Sequence, residues 1–262
     1  MKNFILFGLI LLFQLPVFSQ YGQEIDVSDA MKAALDIRTS GVRIAKDYLY
    51  RGLKSEFVAK ENDKNISTGE KAILTLEIYA NEYPTVKPQL KKLKTKWKKL
   101  RVLALQKPNR KKMDGLLSKL KSFIEVANSV IEEIKKTNQI KIIDYQQASN
   151  DMELLAQQLT LLYAMQVADI KDPSLNTEMN NCKINFQKNL NKTFYSGENT
   201  IDIVETLKRI QADWELSKQS MQSQKESLLN TLYVMMNKIS DQSRKAANLY
   251  QQKAKEILKK EK

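Results

Sequence analysis

The sequence predicts an all-α fold, with long helices forming tandem four-helix bundles or one elongated four-helix-bundle-like structure. Three observations carry that expectation. Glycine and proline number only 7 and 5 in 262 residues, so few positions break a helix. Leu, Lys, Glu and Gln are abundant, and runs that alternate apolar and polar residues in strand fashion are few. Apolar residues return at steps of three and four over long stretches, as on the buried face of a helix.

The elements follow in chain order. Lys2, a nearly unbroken apolar run from Phe4 to Leu15, Pro16 and a small residue at Ser19 read as a secretory signal peptide over 1–19, cleaved near Ser19. The run is interrupted by Gln14 and Pro16 too soon for a membrane span, which needs about 20 apolar residues. The expected address is therefore exported, either periplasmic or secreted. Helix signals begin at Ser28. Ser67-Thr68-Gly69-Glu70 has the form of a capping box and predicts a helix start there. Pro84 and Pro88 bracket a turn, and Lys107-Pro108-Asn109 stops one helix and begins another. Leu117, Leu120, Ile124, Ala127, Ile131 and Ile134 then form an apolar seam. No breaker stands between Ile134 and Ile170, so one long helix is expected to link the two halves. Asp172-Pro173 places a cap residue before a first-turn proline. Ser196-Gly197 ends that helix, and Asn199 or Thr200 starts the next. Ile203, Leu207, Ile210, Trp214, Ser217 and Met221 carry the seam on, and Leu228, Leu232, Met235, Ile239, Ala246 and Leu249 repeat it.

The halves resemble one another. Arg43–Leu49 falls on Gln158–Ala164, which aligns Tyr48 with Tyr163, and Leu93 and Trp97 fall on Ile210 and Trp214 at nearly the same offset. The expected division is a first bundle over 24–140 and a second over 141–262. Both tryptophans read as packing anchors, and both tyrosines as packing residues with a polar tip.

Composition narrows the chemistry. Histidine is absent, which removes the usual general base at neutral pH and the commonest metal ligand. No Gly-rich phosphate loop, nucleophile elbow or metal-ligand spacing occurs. An enzyme is not expected, nor a cofactor or a metal. Cys182, the single cysteine, cannot form an internal disulfide and reads as a small, semi-buried apolar residue. The formal net charge is +13. Residues 1–145 hold 27 basic and 16 acidic side chains, and residues 146–262 hold 16 and 14. The excess gathers between Lys87 and Lys121, where Lys91, Lys92, Lys94, Lys98, Lys99, Arg101, Arg110, Lys111 and Lys112 meet a single acid, Asp114. Such a stretch attracts anionic surfaces, from lipid headgroups to extracellular polymers, or serves as a solvated face. An exported chain with no nucleic-acid-binding motif is not expected to meet nucleic acid.

Leu155-Ala156-Gln157-Gln158-Leu159-Thr160-Leu161-Leu162-Tyr163 resembles the core motif of the PilJ-type domain. That is the N-terminal domain of type IV pili methyl-accepting chemotaxis transducers, related to the nitrate/nitrite sensor domain of NarX-type kinases. Ala168–Leu175, Phe186, Leu190, Asn199-Thr200-Ile201, Leu207, Ile210 and Trp214 follow in the family's order, so the likeness covers roughly 80 residues of the second half. Ala34–Lys46 is similar to the family's first-helix motif in more degraded form, with Leu35 in place of its Gly and Thr39 in place of its Met. On that register Arg38 matches the arginine that contacts the anion in the nitrate sensors, Arg43 matches the later arginine of the motif, and Glu153 occupies the second-half position equivalent to Arg38. The resemblance implies that Arg38 and Arg43 bind a small anion in a helix that faces its twin in a homodimer. The intramolecular alternative for Arg38 is an ion pair with Asp36 or Asp47.

The expected function is thus an exported, PilJ-like, sensor-type binding module without its own transmembrane signalling part. Its partners would be a small anion, an envelope signalling or pilus-related protein, or an anionic surface. The alternatives are a structural or adhesive envelope protein, and a polyanion or membrane-surface binder acting through residues 87–121.

Overall fold

The computed structural model describes residues 24–53, 61–137, 140–222 and 226–260; the leader over 1–19 lies outside them. Among the described residues no strand occurs and every regular element is helical, as the sequence predicts. Helix α1 (Val27–Gly52) opens on the Asp26 carboxylate, which accepts the amides of Ser28 at 2.8 Å and Asp29 at 3.0 Å. Helix α2 (Asn62–Glu82) follows. A 3₁₀ turn over Pro84–Val86 leads into α3 (Lys87–Leu105), with Pro88 in its first turn. After the short α4 (Arg110–Asp114) come α5 (Leu116–Thr137), α6 (Ile142–Val167), α7 (Leu175–Phe194), α8 (Ile201–Ser220) and α9 (Leu229–Lys260). The Asp172 carboxylate holds the Ser174 amide at 2.9 Å ahead of α7, and Thr200 caps α8 through the Ile203 amide.

Two local expectations are corrected. Ser67–Glu70 does not open a helix, because α2 is already in progress at Asn62. The Thr68 hydroxyl donates back to the Lys64 carbonyl, and Glu70 turns outward to accept the indole N–H of Trp97 and the guanidinium of Arg101, both at 2.9 Å. Nor does one helix link the halves. Helix α5 ends at Thr137, Ile140 is not helical, and α6 starts at Ile142. At the end of α5 the Thr137 hydroxyl bonds the Ile134 carbonyl at 2.6 Å and meets the Tyr79 hydroxyl. Across the break, Lys135 pairs with Asp144 at 2.9 Å.

Helices α2, α3 and α5 pack around α1, while α7 and α9 pack on α6 and α8 packs on α9 and α7. The two groups meet where α1 lies against α6, and one apolar cluster runs through both. Each central helix is consequently buried nearly all round: Ile37–Val42 of α1 and Met152–Gln157 of α6 are unbroken buried runs. The outer helices bury one stripe each. The seam on α5 uses Phe123 rather than the half-buried Ile124, and that on α9 uses Met236 rather than Met235.

The tryptophan anchors occupy matching places. Trp97 on α3 donates its N–H to Glu70 on α2, and Trp214 on α8 donates to Gln187 on α7 at 3.0 Å. The space over each indole is filled differently. Phe186 stacks on Trp214 at 4.1 Å between ring centroids, whereas a Cβ at Gly69 would stand 2.2 Å from Trp97 ring carbons. Glycine is required there by the close approach of the ring.

Candidate functional site

The polar residues of the molecule converge where α1 and α6 face each other, with α9 closing one side. Gln146 donates to the Ser28 carbonyl at one end of the contact; Arg38 then meets Asp151, and Arg43 meets Glu153. The pairs advance along both helices in one direction, so α1 and α6 run parallel. Facing polar stripes produce this arrangement. Asn150, Glu153 and Gln157 recur on α6 at helical spacing, as do Thr39, Arg43 and Lys46 on α1.

Arg38 is 3% exposed. Its guanidinium is held by Asp151, by Asn128 of α5 at 2.8 Å and by Asn150 at 3.3 Å. The acid that pairs with it is therefore Asp151, not Asp36 or Asp47. Asp36 is joined to Lys32 at 2.5 Å, and Asp47 accepts from Asn65 at 3.0 Å. Within the chain α1 faces α6, which presents the carboxylates of Asp151 and Glu153 to the two arginines.

Glu153, 2% exposed, sits between two guanidiniums. Its Oε1 accepts from Arg43 at 2.9 Å and from the Nε and Nη2 of Arg244 on α9 at 2.9 and 2.8 Å; its Oε2 accepts from Asn150 at 2.9 Å. Arg43 also donates to Ser240. Burial pushes the Glu153 carboxyl up, to about 8, and the Arg43 guanidinium draws it the other way. One helical turn along, Lys46 and Asp47 are both fully enclosed. The Lys46 ammonium donates to Asn237 at 3.0 Å, lies 4.2 Å from the centre of the Tyr233 ring and stands 3.9 Å from Asp47. Burial lowers Lys46 to about 8 and raises Asp47 to about 6, each moderated by the other's charge.

Beside the Glu153 cluster a cavity of about 190 Å³ opens between α1, α2, α6 and α9. Four cations line it, Lys32, Arg43, Lys64 and Arg244, against two acids, Asp36 and Glu153. The buried Nε of Arg43 makes no hydrogen bond among the described residues. Of the two arginines singled out in the sequence, Arg43 reaches this cavity and Arg38 does not. Arg244, Lys46 and the partner role of Glu153 were missed. The signal available was the stripe of polar residues within the otherwise apolar α6.

Comparison with family models, curated proteins and solved structures gives no match in any of the three.

The basic stretch divides by what faces it. Lys94 pairs with Glu77 and Arg101 with Glu70, both acids of α2. Lys91, Lys92, Lys98 and Lys99 are exposed and make no ion pair among the described residues. Lys112 donates to Gln106 at 2.5 Å, and the side chains of Arg110 and Lys111 lie outside the described ones. Cys182 is buried against Gln158, and burial pushes its thiol up to about 12. None of the described helices is long and apolar enough to cross a membrane, and no group of acids and Cys182 among the described residues could hold a metal ion.

Proposed function

We propose that the chain is an exported, non-enzymatic binding module of the PilJ sensor kind, in which one chain supplies both members of a paired-helix site and a small oxyanion binds in the cavity beside Glu153. One observation carries this reading: Lys32, Arg43, Lys64 and Arg244 converge on a space of about 190 Å³ that only two acids face. Guanidinium and ammonium donors in a partly dehydrated pocket suit a compact oxyanion, and the Arg43 Nε has no hydrogen-bond partner among the described residues. The ligand would touch α1, α2, α6 and α9 together, so its binding would bias how the two halves pack, as a sensor requires. The absence of histidine supports the non-enzymatic part of the reading.

The test is thermal unfolding of the purified protein in nitrate, nitrite, sulfate and phosphate, with chloride at equal ionic strength as the reference. A bound anion stabilises by about 2.7 kcal/mol at a hundredfold excess over its Kd. Lys64→Ala, at an exposed position, should keep the midpoint without anion and lose the anion-specific rise. Equal midpoints in all five salts would remove the oxyanion reading.

A further inference from the structure

A larger cavity lies elsewhere, on the outer face of α3 where it meets α4 and the start of α5, and encloses about 650 Å³. Its floor is aliphatic: Leu100, Val102 and Leu103. Val102 is 45% exposed, an apolar surface left open to water. Lys96, Lys98, Lys99, Lys112 and Lys119 form the rim, and among the described residues no acid lines it. The rim and the opposite side of α3 differ in kind. Lys94 and Arg101 are answered by acids of α2. Of the five rim lysines, Lys96 reaches Ser122 and Lys112 reaches Gln106, both neutral, and none makes an ion pair among the described residues. Lysine stems add methylene surface to the floor while their charged heads stay in water.

We infer that this groove is a binding site for a single-chain anionic amphiphile, a long-chain carboxylate whose alkyl chain lies along Leu100, Val102 and Leu103 and whose head group meets the rim lysines. A solvated charge run explains the lysines but not the exposed Val102 set over the buried Leu100 and Leu103 between them; a purely apolar groove would not need five cations around it. The volume falls within the roughly 300–1,000 Å³ of small-ligand pockets. The site is separate from the Glu153 cavity and stands or falls apart from the oxyanion reading.

The experiment is calorimetric titration of the full chain with octanoate, decanoate and dodecanoate below their micellar concentrations, alongside dodecanol, polyphosphate and phosphatidylglycerol vesicles. Each added pair of methylenes is expected to raise affinity about tenfold, from the free energy of burying alkyl surface. Val102→Asp should weaken dodecanoate binding at least tenfold with the thermal midpoint kept, because Val102 is half exposed. Lys98→Gln combined with Lys99→Gln should weaken dodecanoate several-fold and leave dodecanol unchanged. Equal affinity for octanoate and dodecanoate would overturn the inference. So would polyphosphate binding that needs the lysines while dodecanoate fails to bind, which would make the face a polyanion patch. Vesicle binding that dodecanoate cannot displace would instead assign it to a membrane surface.

Discussion

Replacing Arg38 decides between a ligand residue and an internal clasp. In the structure its guanidinium bonds Asp151, Asn128 and Asn150 at 3% exposure. Arg38→Ala strips Asp151 of its cation, leaves the Asn150 amide short of a donor and opens space under α1. Breaking one member of a buried pair costs about 3–5 kcal/mol. Asp151 keeps 23% of its side-chain surface in water and is partly rehydrated once unpaired, so about 3 kcal/mol is expected. With a urea dependence of about 2–3 kcal/mol per molar, the unfolding midpoint should fall by about 1 M. A cycle with Asp151→Asn should return a coupling of about 1–3 kcal/mol. The anion-induced rise in midpoint should survive, because Arg38 does not line the cavity. A midpoint drop of under about 0.3 M together with a lost anion response would refute the clasp and return Arg38 to the ligand site.

Stability should depend on pH through two buried groups, Asp47 and Lys46. Asp47 keeps its proton in the folded chain up to about 6, while the unfolded chain releases it near 4. Stability therefore falls as pH rises from about 4 to 6. Lys46 reverses the slope above about 8, where the folded chain gives up a proton the unfolded chain holds to 10.5. Urea midpoints taken every half unit should pass through a minimum between about pH 6 and 8, and Lys46→Met should abolish the alkaline recovery; a maximum in that range would contradict both. Gly69→Ala should lower stability by about 1–3 kcal/mol, since the Trp97 ring must move despite the better helix propensity of alanine. The far-ultraviolet helix signal should persist while tryptophan fluorescence shifts. The Cys182 thiol should react with Ellman's reagent at neutral pH only as fast as the chain opens, given its burial and a thiol pushed up to about 12; immediate labelling of the folded protein would place the thiol at the surface.

Much of the fold was legible because helices report themselves locally. The apolar seams of α5, α8 and α9, the proline turn before α3 and the Thr200 cap all depend on residues within a few positions of one another. Where the reading failed, a distant partner had intervened. Ser67–Glu70 has the local form of a helix start, but Glu70 is committed to Trp97 and Arg101, residues of another helix. The break after Thr137 carries no proline or glycine, and there the Thr137 hydroxyl meets that of Tyr79 on α2. Phe123 and Met236 displaced their neighbours from the expected seams because a one-residue rotation of a helix is chosen by the surface it meets.

The candidate site shows the same division more sharply. By itself the sequence determined an all-helical chain, an uneven charge concentrated between Lys87 and Lys121, and arginines at 38 and 43 inside an apolar-rich helix. These are properties of composition and period, set along the chain. What the arginines do was set by the folded packing, because an ion pair depends on which carboxylate stands within a few ångströms after folding. The packing of α1 on α6 gave Arg38 to Asp151, and the arrival of α9 brought Arg244 to Glu153, nearly a hundred residues away along the chain. It also divided the cations of α3, for Lys94 and Arg101 are answered by acids of α2 while Lys96, Lys98 and Lys99 stand around an aliphatic groove.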